Sequence, residues 1–281
     1  MRRPSYLAGT WYPVHARDCR ESIETHAAET ALGHVSCRGL IGPHAGWAYS
    51  GNVQGKVYRL LAKAQPGVDT VVIFGSHRGA AGPNTIFRGA AWQTPLGDVV
   101  TAAELVARIG TIIDLGDEPV ETSRPDNAVE VHMPFVRYFF PAATCVMLGV
   151  AAAQEALEIG RAVGEICRLA GRHALFIGST DLTHYGSAYG YTPKGSGEDA
   201  VRWVREENDM QFLEHLLRQN FAGAITHARI SRSACCPGAA VAALEACRAY
   251  QGSVEPRLVE HYLSCDVRPA SSFVGYAGMV F

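Results

Sequence analysis

The stretch Leu40-Ile41-Gly42-Pro43-His44-Ala45-Gly46-Trp47-Ala48-Tyr49-Ser50-Gly51 decides the fold. Leu40 to Pro43 reads as a short buried strand, a polar, glycine-flanked turn follows, and Gly51 to Ala64 continues with helical periodicity. The same grammar occurs twice more. Asp69 to Gly75 is an apolar strand that closes in Ser76-His77-Arg78-Gly79, and Ala174 to Gly178 closes in Ser179-Thr180-Asp181-Leu182-Thr183-His184-Tyr185-Gly186. Strands that alternate with helices predict an α/β fold. In open α/β sheets, ligands collect beyond the carboxyl ends of the strands, and each of these three turns carries a histidine there.

Working outward, further strands are expected at Thr144 to Gly149, Arg257 to Leu263 and Phe273 to Phe281. Further helices are expected at Asp18 to Ala31, Ala102 to Ile109, Ala153 to Ala170, Glu198 to Gln219 and Pro237 to Tyr250. Within Ala153 to Ala170, residues Ala156, Ile159, Val163, Ile166 and Cys167 form one apolar face, as expected of a helix packed on a sheet. Glycine and proline clusters at Gly79 to Pro83, Pro95 to Gly97 and Pro193 to Gly197 mark loops, none long enough for a linker. No repeat or break in composition divides the chain, so a single domain spanning residues 1–281 is expected.

The 281 residues are 48% hydrophobic and 19% charged, an ordinary globular balance. With 25 Lys and Arg against 27 Asp and Glu, the formal charge of −2 offers no field for nucleic acid or anionic lipid. No apolar run approaches the roughly 20 residues that span a bilayer. The start, Met1-Arg2-Arg3-Pro4-Ser5, leads into Gly9-Thr10-Trp11-Tyr12-Pro13 rather than an apolar signal core, so a cytoplasmic location is expected. The eight cysteines are thinly spread and are expected to be reduced, mostly buried thiols.

Taken singly, a histidine at a strand end is more often structural than functional. Three in equivalent positions favour a site. Imidazole nitrogen suits zinc, copper and iron, and thiolate adds a soft anionic ligand. His44 and His77 with Cys235 or Cys236, in Ala234-Cys235-Cys236-Pro237-Gly238, therefore form a candidate transition-metal set. Trp11, Tyr12, Trp47, Tyr49, Tyr185 and Tyr262 are candidates for an aromatic substrate wall, against the plainer reading of core or rim packing. Arg78 either meets a substrate anion or faces solvent.

The chain resembles the Memo-like family, also called AmmeMemoRadiSam system protein B, whose fold is similar to that of class III extradiol ring-cleaving dioxygenases. The resemblance rests on Ala8-Gly9-Thr10-Trp11-Tyr12-Pro13, the segment from Pro43 to Gly51, Gly75-Ser76-His77, Thr94-Pro95-Leu96-Gly97, Glu130-Val131-His132-Met133-Pro134-Phe135, the segment from Ser179 to Gly186, Ala234-Cys235, and Ser271 to Ala277. It implies a mixed central sheet flanked by helices. It further implies that His44, His77 and Cys235 line one pocket and bind a divalent transition metal, with iron the first expectation and copper the alternative. The family usually has glycine after that cysteine, whereas this chain has Cys236; register favours Cys235. His184 matches the position of an acid/base histidine. Asp181 would orient it or join the metal, against the plainer reading of an aspartate in a tight turn. Where family members often carry Glu-His-Ser, this chain has Asp126-Asn127-Ala128, so a pocket histidine is replaced by Asn127, which cannot titrate. Glu130 and His132 are expected at the pocket edge, beside Trp11 and Tyr49 in its wall.

Three function classes follow. The first is a dioxygenase-like oxidoreductase on a His/His/Cys metal site. The second is a non-catalytic module that holds a peptide or partner in the same cleft. The third is a hydrolase with Cys235 as nucleophile at a helix start. The last leaves the two histidines without a role. The resemblance also implies an Amme-type partner protein and a radical S-adenosylmethionine enzyme in a shared pathway.

Overall fold

Four parallel strands form the centre of the structure, a computed structural model describing residues 1–33, 35–122 and 125–281. In order across the sheet they are Gly39–Gly42, Ala174–Ser179, Thr70–Gly75 and Thr144–Gly149. The sheet is mixed because Thr85–Phe87 adds antiparallel to Thr144–Gly149, and Phe273–Val280 adds antiparallel to Gly39–Gly42. Gly116–Glu118 extends one edge; Arg257–Leu263 and His184–Tyr185 both pair with Phe273–Val280 at the other. A small separate sheet joins Arg2–Arg3, Ala91–Trp92 and Val99–Val100.

Successive side chains of a strand point to opposite faces, and both faces here are covered. Val72, Phe74, Val146, Leu148 and Phe176 enter a core shared with the helices Glu155–Leu169 and Pro237–Gln251. Val71, Ile73, Cys145, Met147, Leu175 and Ile177 enter a second core with Ala16–His26, Trp47–Ala64 and Met133–Phe139. The apolar runs of these strands are thus explained by burial on both sides. Glu155–Leu169 and Pro237–Gln251 pack almost backbone to backbone. A Cβ added at Gly160 would stand 2.8 Å from Ala242 Cα, and one at Gly164 2.8 Å from the Ala246 carbonyl carbon.

The expected central strands and most helices lie where the periodicity places them, with ends that differ by a few residues. Two departures have physical causes. The single helix expected over Glu198 to Gln219 is interrupted: α-helix from Glu198–Trp203 passes through a π-helical turn, Val204–Asn208, before Asp209–Leu217. The wider turn aims buried Asn208 and Asp209 at Thr183. Asn208 Nδ2 donates to Thr183 Oγ1 at 2.8 Å, and Thr183 N–H donates to Asp209 Oδ1 at 3.1 Å. The helices Met133–Phe139 and Phe221–Ser231 have no counterpart among the expected elements. The first is short, and the second has only a weak apolar face. No helix among the described residues is long and apolar enough to cross a membrane. All eight cysteines are free, six of them buried.

Candidate metal centre

Three neighbouring parallel strands end side by side, and the turn after each delivers one part of the site. Gly39–Gly42 leads to His44, Ala174–Ser179 to Asp181 and His184, and Thr70–Gly75 to His77. The fourth part comes from the start of the helix Pro237–Gln251. The chain is held there by Cys235 N–H donating to the Asp181 carbonyl at 3.1 Å and Cys236 N–H donating to Thr180 Oγ1 at 3.0 Å. One ligand atom each from His44, His77, Cys235 and Cys236 lie within 4.8 Å of one another.

Hydrogen bonds fix which imidazole nitrogen faces the cluster. Ser179 Oγ donates its only proton to the Ala128 carbonyl. It must therefore accept from His44 Nδ1, 2.8 Å away, and from His132 Nε2 at 3.1 Å. His44 Nδ1 thus carries a proton, and its Nε2 faces Cys235 Sγ at 3.2 Å. Asp126 does the same for His77: its Oδ1 lies 2.9 Å from Nδ1, while its Oδ2 accepts the His77 backbone N–H at 2.9 Å. Asp126 also caps the short helix Asn127–Glu130 by accepting from Ala128 N–H. Ser76, just before His77, has φ +142°, a strained conformation for a residue other than glycine.

The two vicinal sulfurs differ. Cys236 Sγ lies 3.2 Å from the Ser76 carbonyl, to which it donates. Burial, reinforced by the adjacent Cys235 sulfur, holds its pKa well above that of an ordinary thiol. For Cys235, burial also opposes ionisation, but the adjacent Cys236 thiol and the charge and hydrogen bonding of the neighbouring imidazoles outweigh it and carry the thiol well below its usual range. Asp181 N–H also points at Cys235 Sγ, 3.3 Å away. Burial disfavours charge on His77, yet Asp126 and Cys235 push its pKa up to about 11; His44 is raised by Cys235 and Asp181 against the same opposition. The cluster could hold a metal ion. Two imidazole Nε2 atoms and a thiolate, each histidine held at Nδ1 by a fixed partner, fit a divalent transition metal.

A cleft of about 540 Å³, a size suited to a small molecule, reaches the cluster through His77. His44 is buried behind it, and Cys235 lines a neighbouring cavity that shares His184 and Tyr189 with the cleft, so the three expected ligands do not all line one pocket. Trp11, Tyr49, His77, Asn127, Asp181 and His184 all line it. Asn127 Nδ2 donates to the His44 carbonyl at 2.7 Å, so the residue that replaces the usual histidine braces the first ligand's turn. Asp181 is buried, its Oδ1 accepting His44 N–H at 2.7 Å. Its Oδ2 is 3.9 Å from Nε2 of both His44 and His184, close enough for charge coupling and too far for a hydrogen bond. Burial holds its pKa above the usual carboxylate value.

Glu130 and His132 are not at the pocket edge. Both are fully buried behind it. Glu130 Oε1 accepts from Leu7 N–H at 2.6 Å and Tyr12 O–H at 2.9 Å, fastening the N-terminal turn whose next residue, Trp11, walls the cleft. His132 Nδ1 accepts from Gln54 and Tyr58, both at 3.1 Å, and its Nε2 donates to Ser179. Their place is to support loops and ligands. Among the aromatic candidates, Tyr12, Trp47 and Tyr185 are core residues, and Tyr262 donates to the Tyr49 carbonyl at 2.7 Å. Arg78 is paired with Glu118 at 2.7 Å rather than with a substrate position or solvent. Ser179 and Asp126 are the functional residues that motif reading does not single out. A polar residue at a strand end and an N-cap aspartate are the faint local signals that mark them.

The geometry agrees with what comparison with known proteins finds. A sequence profile described as Memo-like protein matches residues 2–280. A MEMO1 family protein of Methanococcoides burtonii is 32% identical over 286 residues, covering 100% of this chain and 99% of that one. The MEMO1 family protein TK1477 of Thermococcus kodakarensis is 30% identical over 251 residues, covering 86% and 85%. The MEMO1 family protein of Thermococcus onnurineus is 28% identical over 293 residues, covering 100% and 99%. The chain belongs to the Memo-like protein family.

Proposed function

We propose that this chain is a non-haem, metal-dependent oxidoreductase of dioxygenase-like type. It acts on a small planar substrate in the cleft, with divalent iron held by His44 Nε2, His77 Nε2 and Cys235 Sγ and copper as the alternative metal. The observation that carries this reading is the donor set itself: both histidines present Nε2 because Ser179 and Asp126 occupy Nδ1. Support of this kind around ligating histidines orients the ring and raises its basicity. When bound, such a metal supplies redox chemistry and open coordination positions for a substrate oxygen.

The chain's own residues do the rest. His184 lines the cleft, partly exposed, and its ring meets the edge of Tyr189 with centroids 5.0 Å apart, which limits how it turns. It is placed to take a proton from a substrate hydroxyl and return it. Asp181 holds the His44 turn through the backbone and lends its other oxygen's charge to His184. Trp11 and Tyr49 give the ring of a planar substrate apolar walls.

The test is oxygen uptake by iron-reconstituted protein with a panel of planar hydroxylated compounds. A turning-over compound is expected, with uptake lost in His44→Ala and reduced roughly 10²- to 10⁴-fold in His184→Gln. Stoichiometric iron with no uptake for any compound, and no effect of His184→Gln, would overturn the oxidoreductase reading.

A further inference from the structure

We propose that the cleft selects a planar carboxylic acid, with Arg268 as the residue that binds the carboxylate and the hydroxyls of Ser264 and Ser272 as its accompanying donors. Among the described residues, Arg268 is the one lysine or arginine that lines the cleft. Its exposed guanidinium has no hydrogen bond or ion pair among the described residues, whereas Arg78, Arg88 and Arg205 each hold a carboxylate. Ser264 Oγ accepts the Val274 N–H at 2.9 Å, and Ser272 Oγ accepts the Ala188 N–H at 3.2 Å. Both serines line the cleft, and neither donates its proton to a group of the described chain, which leaves both hydroxyls available as donors.

The donors belong to one short segment, and the fold fixes that segment against the turn that carries His184. Gly186 has φ +113°, and a Cβ there would lie 2.6 Å from Ser272 Cα. Only glycine allows the two backbones to approach so closely. A planar guanidinium flanked by hydroxyls is suited to a carboxylate, which it can bind through two parallel hydrogen bonds. A monoanion is favoured over a phosphate dianion because, among the described residues, a single arginine lines the cleft, which the Asp181 carboxylate also lines. The tyrosines at 49, 189 and 276 line the same space and supply flat apolar surface for the ring that bears the acid.

This inference names the substrate class of the site proposed above and rests on that reading for its chemistry, though not for its binding. The test is calorimetric titration of the full chain with 4-hydroxybenzoate, its neutral analogue 4-hydroxybenzamide, and phenyl phosphate, before and after removal of metal by a chelator. The acid is expected to bind about tenfold more tightly than the amide, and more tightly than the phosphate ester, in both forms. Arg268→Gln is expected to abolish the preference for acid over amide, and Arg268→Lys to retain part of it. Equal binding of acid and amide, tighter binding of the phosphate ester, or a preference that survives Arg268→Gln would overturn the inference. In the last case, a preference that also requires the metal would place the carboxylate on the metal and leave the metal reading intact. Conversely, selection of the acid through Arg268 by a chain that binds no metal would support this inference and remove the metal reading.

Discussion

His44 Nε2 lies 3.2 Å from Cys235 Sγ, although the two residues are 191 apart in sequence. The contact joins the end of a central strand to the start of the helix Pro237–Gln251, and it sets Cys235 rather than Cys236 against His44 Nε2. Cys235→Ser is therefore expected to lose bound metal, while Cys236→Ser keeps it, as read by elemental analysis of matched preparations. The reverse pattern would show that the neighbouring sulfur is the ligand.

The histidines at 44 and 77 are legible in sequence because each follows an apolar strand in a glycine-flanked turn, and strand order then brings them together. Asp126 is less legible. It bonds His77 from 49 positions away and has no local signature beyond its place as an N-cap. Glu130 and His132 show the opposite limit: the sequence displays their chemistry but not that they face away from the cleft. Ser179, Arg268 and Ser272 depend on tertiary packing that no local pattern encodes.

Asp126→Asn separates the capping function from support of His77, because asparagine caps a helix about as well as aspartate but lacks the anionic charge that holds the imidazole. Metal affinity is expected to fall about 10- to 100-fold with little change in thermal stability. A competition assay with a chelator of known affinity measures the first, and a melting curve the second. Unchanged affinity would mean that His77 does not need its carboxylate partner.

His132 gives the fold a pH dependence of predictable sign. Burial, with a smaller contribution from His44, holds its pKa down to about 3 from an ordinary 6.5. The unfolded chain takes up this proton near pH 6.5 and the folded chain does not, so the stability that His132 contributes is present above that pH and is lost as pH falls toward 3. Between pH 7 and pH 5 the loss from this group is about 2 kcal/mol. Urea unfolding at the two pH values should show His132→Gln with the smaller pH dependence. Equal dependence in both proteins would mean that the ring is protonated in the fold.

Gly160 and Gly164 set the distance between the helices Glu155–Leu169 and Pro237–Gln251, the second of which carries the cysteine pair at its start. Gly164→Ala is expected to destabilise the chain by about 1–3 kcal/mol, because the Ala246 backbone cannot yield without moving the helix. Denaturant unfolding measures the loss. A stability equal to that of the parent chain would show that the helices separate freely.

The central claim is that His44, His77 and Cys235 hold a redox-active metal. X-ray absorption at the metal edge, on protein purified without oxygen and with its metal content measured alongside, tests that claim most directly. Stoichiometric iron, or copper in its place, with one sulfur and two imidazole nitrogens in its shell is the predicted result. A chain that purifies without metal and takes up none on reconstitution, or a bound metal with no sulfur neighbour, would contradict it.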